Sequence, residues 1–418
     1  MHCADHSVER RPLRILLVTS DKFPPFRPAA RLLFGRELAA RGHVVDWLVQ
    51  AERESDYPAD APGADGAHDY AGGRAWIAHT DDGHSRLRRL RKYWLDFRND
   101  LRLFGCVRRG GYDVVQVKDK YLAALLAVIA CRRHRVPLSY WLAYPHGEAS
   151  LYEARHGIAR YRGFYFVRGL FMRLVLYRIV LPASRLVFVQ SEQMRDDIAA
   201  EGIPAAKMTP VPGALDPEEI PWTPSPPASG KRIVYLGTLI RTRRLDFLVR
   251  VYARVRERHP DAALVFVGRG EMPEDEALLR AEADRLGVSD GVHFTGHLPM
   301  REAWAYVRDC AVGVSPYFPS FTLNSTSPTK LIEYMAMGRP VVANDHPEQR
   351  RVIEQSGAGH CVAWDEDAFA DAICSVLDDP TAAAEMGTRG REWVLAHRTN
   401  ALMAERIEHD YHRLVCAS

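Results

Sequence analysis

Short apolar runs alternate with helical patterns twice along this chain, and no other feature limits its fold as strongly. In the first half, residues 13–18, 44–49, 114–117, 138–143 and 186–190 have the composition of strands buried on both faces. The second half repeats the pattern at residues 232–236, 263–267, 292–295, 312–315 and 340–343. Strands that alternate with helices form parallel sheets covered by helices on both faces. The sequence therefore predicts an α/β protein with two doubly wound, Rossmann-like domains facing a central cleft.

Proline content marks the boundary between the two predicted domains. Residues 213–231 include Pro224, Pro226 and Pro227, and such a run continues neither a helix nor a sheet. We therefore expect an N-terminal domain over residues 1–212, a linker over 213–231 and a C-terminal domain over 232–398. The polar segment 52–83 has no hydrophobic periodicity and is predicted to be a surface loop. Residues 399–415 have the pattern of an amphipathic helix.

Composition excludes several classes of protein. A length of 418 residues suits two cores, and a net charge of +3 gives no reason to expect nucleic-acid binding. The seven cysteines are scattered, which argues against a disulfide framework or a zinc site and favours a reducing compartment. With neither a signal-like start nor a membrane-spanning run, a cytoplasmic protein is expected.

The strongest local signal lies at residues 325–343. Ser327 and Pro328 have the pattern of a helix start, and a helix N-terminus binds phosphate well. Lys330 and Glu333 are three residues apart and share a helix face. One side chain is suited to neutralising a phosphate and the other to accepting hydrogen bonds from ribose hydroxyls. A surface ion pair is the alternative interpretation.

Basic and glycine-rich loops follow the first two predicted strands of the C-terminal domain. Gly237 precedes Arg241, Arg243 and Arg244, whose guanidinium groups have the geometry to hold a pyrophosphate. A solvated charge run is the alternative. Arg269 lies in a glycine turn that would let the backbone approach a ligand ring.

In the N-terminal domain, His146 and Glu148 follow a predicted strand directly. Such groups at the carboxyl end of a strand are plausible catalytic residues, although a structural histidine is the alternative. Arg27 and Arg31 follow the first strand of the chain. They are candidates for contact with a donor phosphate, with an acidic acceptor, or only with solvent.

Several motifs follow one another in a fixed order from residue 232 to residue 379. They are Leu-Gly-Thr-Leu with its arginine cluster, Val-Phe-Val-Gly-Arg-Gly, Phe-Thr-Gly-His, Val-Ser-Pro and Lys-Leu-Ile-Glu-Tyr-Met-Ala-Met-Gly-Arg-Pro-Val-Val-Ala. This succession resembles the C-terminal domain of the retaining GT-B glycosyltransferases of family 4. The resemblance extends over the whole chain but is weaker before residue 210.

The resemblance implies a hexosyltransferase-type enzyme that moves a sugar from a nucleotide-diphosphate donor to an acceptor hydroxyl, with retention. It places Glu333 on the donor ribose, Arg243 at a phosphate-binding position and His146 at the active-site histidine. Glu333 matches the second acid of the family's E-x7-E motif, but Ser325 stands where the family has the first acid, so we expect a variant donor pocket to which Lys330 adds a contact. It further implies that the C-terminal helix crosses back onto the N-terminal domain. Because cations and a helix end would stabilise the leaving diphosphate, neither a metal nor another cofactor is expected.

Residues 86–102 have the pattern of a basic amphipathic helix. An apolar stripe through Leu87, Leu90, Trp94, Phe97 and Leu101 lies among arginines and a lysine. The pattern is typical of an interfacial membrane anchor, with a stripe that faces the core as the alternative. Residues 161–178 fit less well because their arginines spread around a helix. An anchor would favour a glycan or lipid-linked acceptor at the inner face of the plasma membrane.

Two other function classes remain open on the sequence. The missing acid at Ser325 is compatible with a catalytically silent binding or assembly subunit that kept the fold. A sugar-nucleotide epimerase or a sugar phosphorylase of the same architecture is the nearest enzymatic alternative.

Overall fold

The computed structural model describes residues 11–25, 29–83, 87–220, 222 and 230–417. Within them the chain forms two compact units, each built on one sheet. The first unit contains the described residues up to Gln190, Met194–Val211 and the C-terminal helix Asn400–Cys416. The second contains Ser191–Gln193 and the described part of Pro212–Thr399.

The sheet of the first unit has eight strands in the order β3-β4-β2-β1-β5-β6-β7-β8. They are β1 Arg14–Phe23, β2 Val44–Ala51, β3 His68–Tyr70, β4 Gly73–Ala78, β5 Val114–Lys118, β6 Leu138–Leu142, β7 Leu186–Val189 and β8 Met208–Pro210. Only β3 pairs antiparallel, with β4. Every residue of β5, β6 and β7 is buried, which explains why these strands appear in the sequence as unbroken apolar runs.

The sheet of the second unit has six parallel strands in the order β11-β10-β9-β12-β13-β14. They are β9 Arg232–Leu236, β10 Ala263–Val267, β11 Val292–Phe294, β12 Val312–Ser315, β13 Val341–Asn344 and β14 Gly359–Val362. The strand order reverses between β9 and β12, and ligands of such sheets bind beyond the carboxyl ends of the strands at that point.

Helices connect the strands of both units. Those up to residue 200 are a helical segment Ala29–Glu37 continued by α1 Leu38–Ala40, then α2 Arg88–Asp100, α3 Arg102–Gly110, α4 Tyr121–His134, α5 His146–Arg155, α6 Arg162–Val175, a further segment Leu176–Val180 with α7 Leu181–Ala183, and α8 Glu192–Ala200. The later ones are α9 Asp246–Arg258, α10 Pro273–Leu286, α11 Met300–Arg308, α12 Phe321–Asn324, α13 Thr329–Ala336, α14 Pro347–Ser356, α15 Glu366–Asp378, α16 Pro380–His397 and α17 Asn400–Cys416. Across the described ranges, none of these helices has the length and apolarity needed to cross a bilayer.

The predicted fold class is confirmed, but one segment was predicted wrongly. Residues 52–83 are not only loop, because they contain β3 and β4. Strand β4 pairs parallel with β2 and extends the sheet toward its edge, and its last four residues are buried. Its apolar core is only Ala75–Ala78, too short to stand out among the surrounding polar residues.

The C-terminal helix α17 packs in the first unit through polar as well as apolar side chains. The Tyr411 hydroxyl donates a 2.7 Å hydrogen bond to Oε1 of Gln116, in the middle of β5. Arg41 donates to Oε2 of Glu408 over 3.0 Å, and the His43 ring lies 3.2 Å from Oε1 of the same carboxylate. The end of the chain therefore completes the first unit.

Candidate functional site

Gly237 lies at the carboxyl end of β9, and its backbone is close to two basic side chains, those of Arg243 and Lys330. Its φ of 144° is a conformation that residues with a side chain rarely adopt. A Cβ atom at this position would lie 3.2 Å from Nη1 of Arg243 and 3.4 Å from Cε of Lys330. The structure therefore brings together three of the predicted donor-site residues, although their roles stay predictions.

Lys330 is a buried lysine, and no acidic group among the described residues lies within ion-pairing distance of its amine. Its side chain is on α13 and only 4% of the residue is exposed. The Nζ atom lies 4.3 Å from the ring centre of Tyr317 and 4.8 Å from that of Tyr235, and it has no hydrogen-bond partner among the described residues. Burial, with a smaller contribution from Arg243, holds the pKa of Lys330 well below its ordinary value. An anion placed here would relieve the cost of burying the amine.

Glu333 lies one helical turn after Lys330 and is partly buried. Burial raises the pKa of its carboxyl group to about 7, and Lys330 opposes that shift. The two groups form no ion pair within 4 Å among the described contacts. The surface ion-pair interpretation is therefore wrong, because Lys330 is buried and the carboxylate remains available to a ligand.

Two tyrosines complete the surroundings of Lys330, and the sequence prediction missed both. The Tyr235 hydroxyl accepts a 2.9 Å hydrogen bond from Nη1 of Arg243 and donates to the carbonyl of Thr238. Tyr317 follows β12, and Asn344 fixes its backbone by bonding both its N–H and its carbonyl. Residues just after a parallel strand are the expected ligand contacts, so position alone was enough to nominate Tyr317.

The predicted arginine cluster separates in the structure. Arg243 enters the site beside Gly237, whereas Arg241 turns toward Asp275 with an Nε–Oδ1 distance of 3.6 Å. Arg244 has a φ of 51°, pairs with Asp246 at 3.4 Å and lies over the ring of Phe318. A clamp made of three arginines is therefore not what the structure contains.

A cavity of about 1050 Å³ opens beside Gly237 within the second unit. Gly268 forms part of its wall, and a Cβ atom there would lie 2.1 Å from the carbonyl oxygen of Gly237. Arg269 and His297 are exposed side chains on its lining. A base and ribose would fit a cavity of this size, next to the cations that a diphosphate needs.

The hydroxyl groups of Ser325 and Ser327 both form hydrogen bonds with backbone atoms. The Ser325 hydroxyl donates to the carbonyl of Phe321 over 3.1 Å, and the residue is buried. The Ser327 hydroxyl accepts the N–H of Gly213 over 3.0 Å and does not cap the helix. The predicted helix start was therefore one residue too early, because α13 begins at Thr329 with Pro328 as its uncapped flanking residue.

In the first unit, His146 is the first residue of α5, just beyond β6. Its ring packs edge-on against Tyr144, at a centroid distance of 5.1 Å, and it is only partly buried. Glu148 is buried and accepts a 2.6 Å hydrogen bond from Arg173, so the structure gives it a role in joining α5 to α6. Arg31 is exposed in the segment Ala29–Glu37, and Arg27 lies outside the described residues.

A charged network that the sequence prediction missed lies at the carboxyl end of β5. Nζ of Lys118 is 2.9 Å from Asp21 and 3.5 Å from Asp119, and all three side chains are buried. Asp119 has a φ of 53° and accepts the N–H of Ala143, at the end of β6. Burial raises the pKa of Asp119, whereas Lys118 and His146 act to lower it. The run Lys118-Asp119-Lys120 directly after an apolar strand was the available signal.

The chain matches two known families over most of its length. Residues 230–379 match the family described as "Glycosyl transferases group 1", and residues 30–214 match "Glycosyl transferase 4-like domain". The first match contains Gly237, Arg243, Lys330 and Glu333, and the second contains His146.

Relatives of known function are mannosyltransferases. A "GDP-mannose-dependent alpha-(1-6)-phosphatidylinositol monomannoside mannosyltransferase" from Mycolicibacterium smegmatis is 30% identical over 237 residues, which cover 53% of this chain and 60% of that protein. A "Phosphatidyl-myo-inositol mannosyltransferase" from Mycobacterium leprae is 31% identical over 40% of this chain and 43% of its own length. The matched region thus spans well under two thirds of these relatives.

Solved structures with the same fold cover nearly the whole chain. Sucrose-phosphate synthase from Thermosynechococcus elongatus superposes with a TM-score of 0.72 at 19% identity, covering 98% of this chain and 100% of that one. Anabaena Alr3699/HepE in complex with UDP gives a TM-score of 0.67 at 14% identity, covering 96% and 100%. At such identities the likeness concerns the fold alone. The two family matches and the shared fold show that the chain is a glycosyltransferase with the GT-B fold, with its group 1 domain over residues 230–379.

Proposed function

We propose that this protein transfers a hexosyl group from a nucleotide-diphosphate sugar to an acceptor hydroxyl. The observation that carries the proposal is the buried amine of Lys330, which has no hydrogen-bond partner in the part of the chain that the structure describes, beside Arg243 and the backbone of Gly237. Two cations and an exposed backbone are what a diphosphate requires. Glu333, on the same helix, is positioned to accept hydrogen bonds from a ribose.

The chemistry follows from where charge develops. When the glycosidic bond to the diphosphate breaks, negative charge grows on the leaving oxygen. Lys330 and Arg243 stabilise that charge best in a site with little water. We propose that these cations take the part that a metal ion has in other transferases, that the reaction needs no metal or other cofactor, and that it retains anomeric configuration. His146 is the proposed catalytic residue of the first unit.

A titration of the full chain tests the donor site. UDP, GDP and ADP are added separately in the presence of EDTA, and the thermal unfolding midpoint is followed. We expect one nucleotide to raise it in the parent protein, and less so in the Glu333→Ala variant. A folded sample that responds to none of the three would contradict the proposal and favour a silent subunit. Product formed without an acceptor would favour an epimerase.

We further propose that the acceptor is a lipid-linked glycan or glycolipid at the cytoplasmic face of the plasma membrane. Two relatives act on phosphatidylinositol derivatives, as their names state. In α2 the predicted stripe does not face the core, because Leu90 and Trp94 are 68% and 60% exposed. This helix, within residues 86–102, is the proposed peripheral membrane contact. Transfer to extracted lipid, compared with transfer to a water-soluble glycan, tests the acceptor class.

A further inference from the structure

The outer surface of α6 is apolar. Phe164, Val167, Leu170, Phe171 and Leu174 recur every three or four residues and so share one face of the helix. All five are exposed, Phe164 and Val167 by 65% each. Single exposed apolar residues are common, but a contiguous stripe of this kind marks an interaction surface.

Helices that pack beside α6 in the first unit expose apolar side chains as well. Helix α4 packs against both α2 and α6. It exposes Leu122 and Ile129 by more than half of their surface. Helix α2 adds Tyr93 and Trp94, which are 70% and 60% exposed. We call the combined outer surface of α2, α4 and α6 the three-helix face.

Positive charge predominates around the three-helix face, where Asp96 of α2 pairs with Lys120. No aspartate or glutamate occurs between Glu153 and Glu192, a stretch that contains seven arginines. Arg160 and Arg178 are exposed just before and just after α6, at the two ends of its apolar stripe. No acidic residue occurs between Asp82 and Asp96 either, where the first turns of α2 carry exposed arginines. Such a surface attracts anions and repels a second copy of itself.

We propose that the three-helix face binds the interface of an anionic bilayer, with the apolar stripe of α6 inserted among the acyl chains. Aromatic and aliphatic side chains partition into the interfacial region, while arginines at its margin bind lipid phosphates. This inference rests on the lipid-linked acceptor proposed above. It extends the contact from residues 86–102 to a larger surface whose deepest part is α6.

The position of α6 links this surface to the candidate active site of the first unit. Helix α6 packs closely on α5, which begins at His146. A Cβ atom on Gly169 would lie 2.9 Å from the carbonyl oxygen of Gly147, and one on Gly147 would lie 3.0 Å from Cγ of Arg173. Because the helices touch through glycines, docking of α6 fixes the helix start that carries His146 relative to the bilayer.

Sedimentation with lipid vesicles tests the proposal on the full chain. The parent protein is mixed with vesicles of phosphatidylcholine alone or with about a third of phosphatidylglycerol. We expect binding to the anionic vesicles that weakens with salt. The double variant Val167→Gln and Phe171→Gln should lower the vesicle partition coefficient at least tenfold. A matched control is Leu278→Gln, at a leucine 51% exposed on α10 of the second unit, which should bind as the parent does.

Two results would overturn the proposal. One is equal vesicle binding by the double variant and the parent. The other is a parent dimer, seen by light scattering, that the double variant converts to a monomer, since the face would then bind a second copy. The nucleotide-induced thermal shift is measured on the same samples. If nucleotide still raises the unfolding midpoint but the parent does not bind vesicles, only the membrane surface is rejected. If the parent binds vesicles but nucleotide does not raise the midpoint, only the proposed donor site is rejected.

Discussion

The two units each bury a lysine beyond the carboxyl end of a strand, but the two lysines differ in their surroundings. Lys118 in the first unit pairs with Asp21 and approaches Asp119. Lys330 in the second unit faces two aromatic rings and has no hydrogen-bond partner among the described residues. Lys118 is neutralised by ion pairs within the first unit, whereas Lys330 has only the longer-range attraction of Glu333. A buried lysine without an ion pair is the better candidate for an anion site, because a bound anion would relieve the cost of its burial.

The largest expected effect is on stability in the first unit. Lys118→Met would leave Asp21 and Asp119 buried without their cation, so we expect the free energy of unfolding to fall by about 3–5 kcal/mol. Urea denaturation, read by tryptophan fluorescence, measures it. A loss of less than about 1 kcal/mol would show that the network is not a paired structural element.

The same substitution at Lys330 should have the opposite effect on stability. Lys330→Met removes a buried, unpartnered amine, and we expect the protein to gain about 1–3 kcal/mol. Affinity for the nucleoside diphosphate should fall about 10- to 100-fold because a charge-assisted contact is lost. Calorimetric titration and urea denaturation measure the two quantities. Lys231→Met is the control, since Lys231 pairs with Asp261 on the surface and should change neither. Unchanged nucleotide affinity at Lys330→Met would refute the anion site.

We expect the contribution of Glu333 to the free energy of unfolding to depend on pH. Its pKa is raised from 4.5 to about 7, so the protonated form favours folding. That contribution is fully present below about pH 4.5 and is lost as the pH rises through about 7. Glutamine imitates the protonated acid. Glu333→Gln should therefore match the parent in stability near pH 4.5 and exceed it by about 1–2 kcal/mol near pH 8. Equal stability at both pH values would mean that the carboxylate is well solvated.

The smallest expected effect is that of replacing Arg241 on nucleotide affinity, and it is compared with the effect of replacing Arg243. Arg241 is exposed and turned toward Asp275, so Arg241→Gln should change nucleotide affinity by no more than about threefold. Arg243→Gln should lower it about tenfold or more, because the side chain lies beside Gly237. Calorimetric titration of the two variants in parallel makes the comparison. The reverse order would mean that the arginines rearrange when the donor binds.

The sequence by itself determined the architecture and the neighbourhood of the donor site. Strands buried on both faces appear in the sequence as unbroken apolar runs. The bounds of the strands that precede the candidate site residues were therefore predicted within a few residues. Gly237 and Arg243 were nominated because they follow such a strand, whereas Lys330 and Glu333 were nominated because they share a face near a predicted helix start. Short strands near the edge of the sheet, such as β4, were missed, because four buried residues within a polar segment have no distinct pattern.

Only the tertiary structure decided which of these charges are neutralised. Charge and spacing alone do not distinguish Arg241, Arg243 and Arg244, and only the family resemblance favoured Arg243; in the structure it is Arg243 that reaches Gly237. Nothing in the sequence distinguished the paired Lys118 from the unpaired Lys330, because the partners of Lys118 include Asp21, which is 97 residues away. Nor did the periodicity of α2 and α6 reveal whether their apolar stripes face the core or solvent. Electrostatic state and exposure depend on distant segments that meet in the fold, whereas strand and helix periodicity is local.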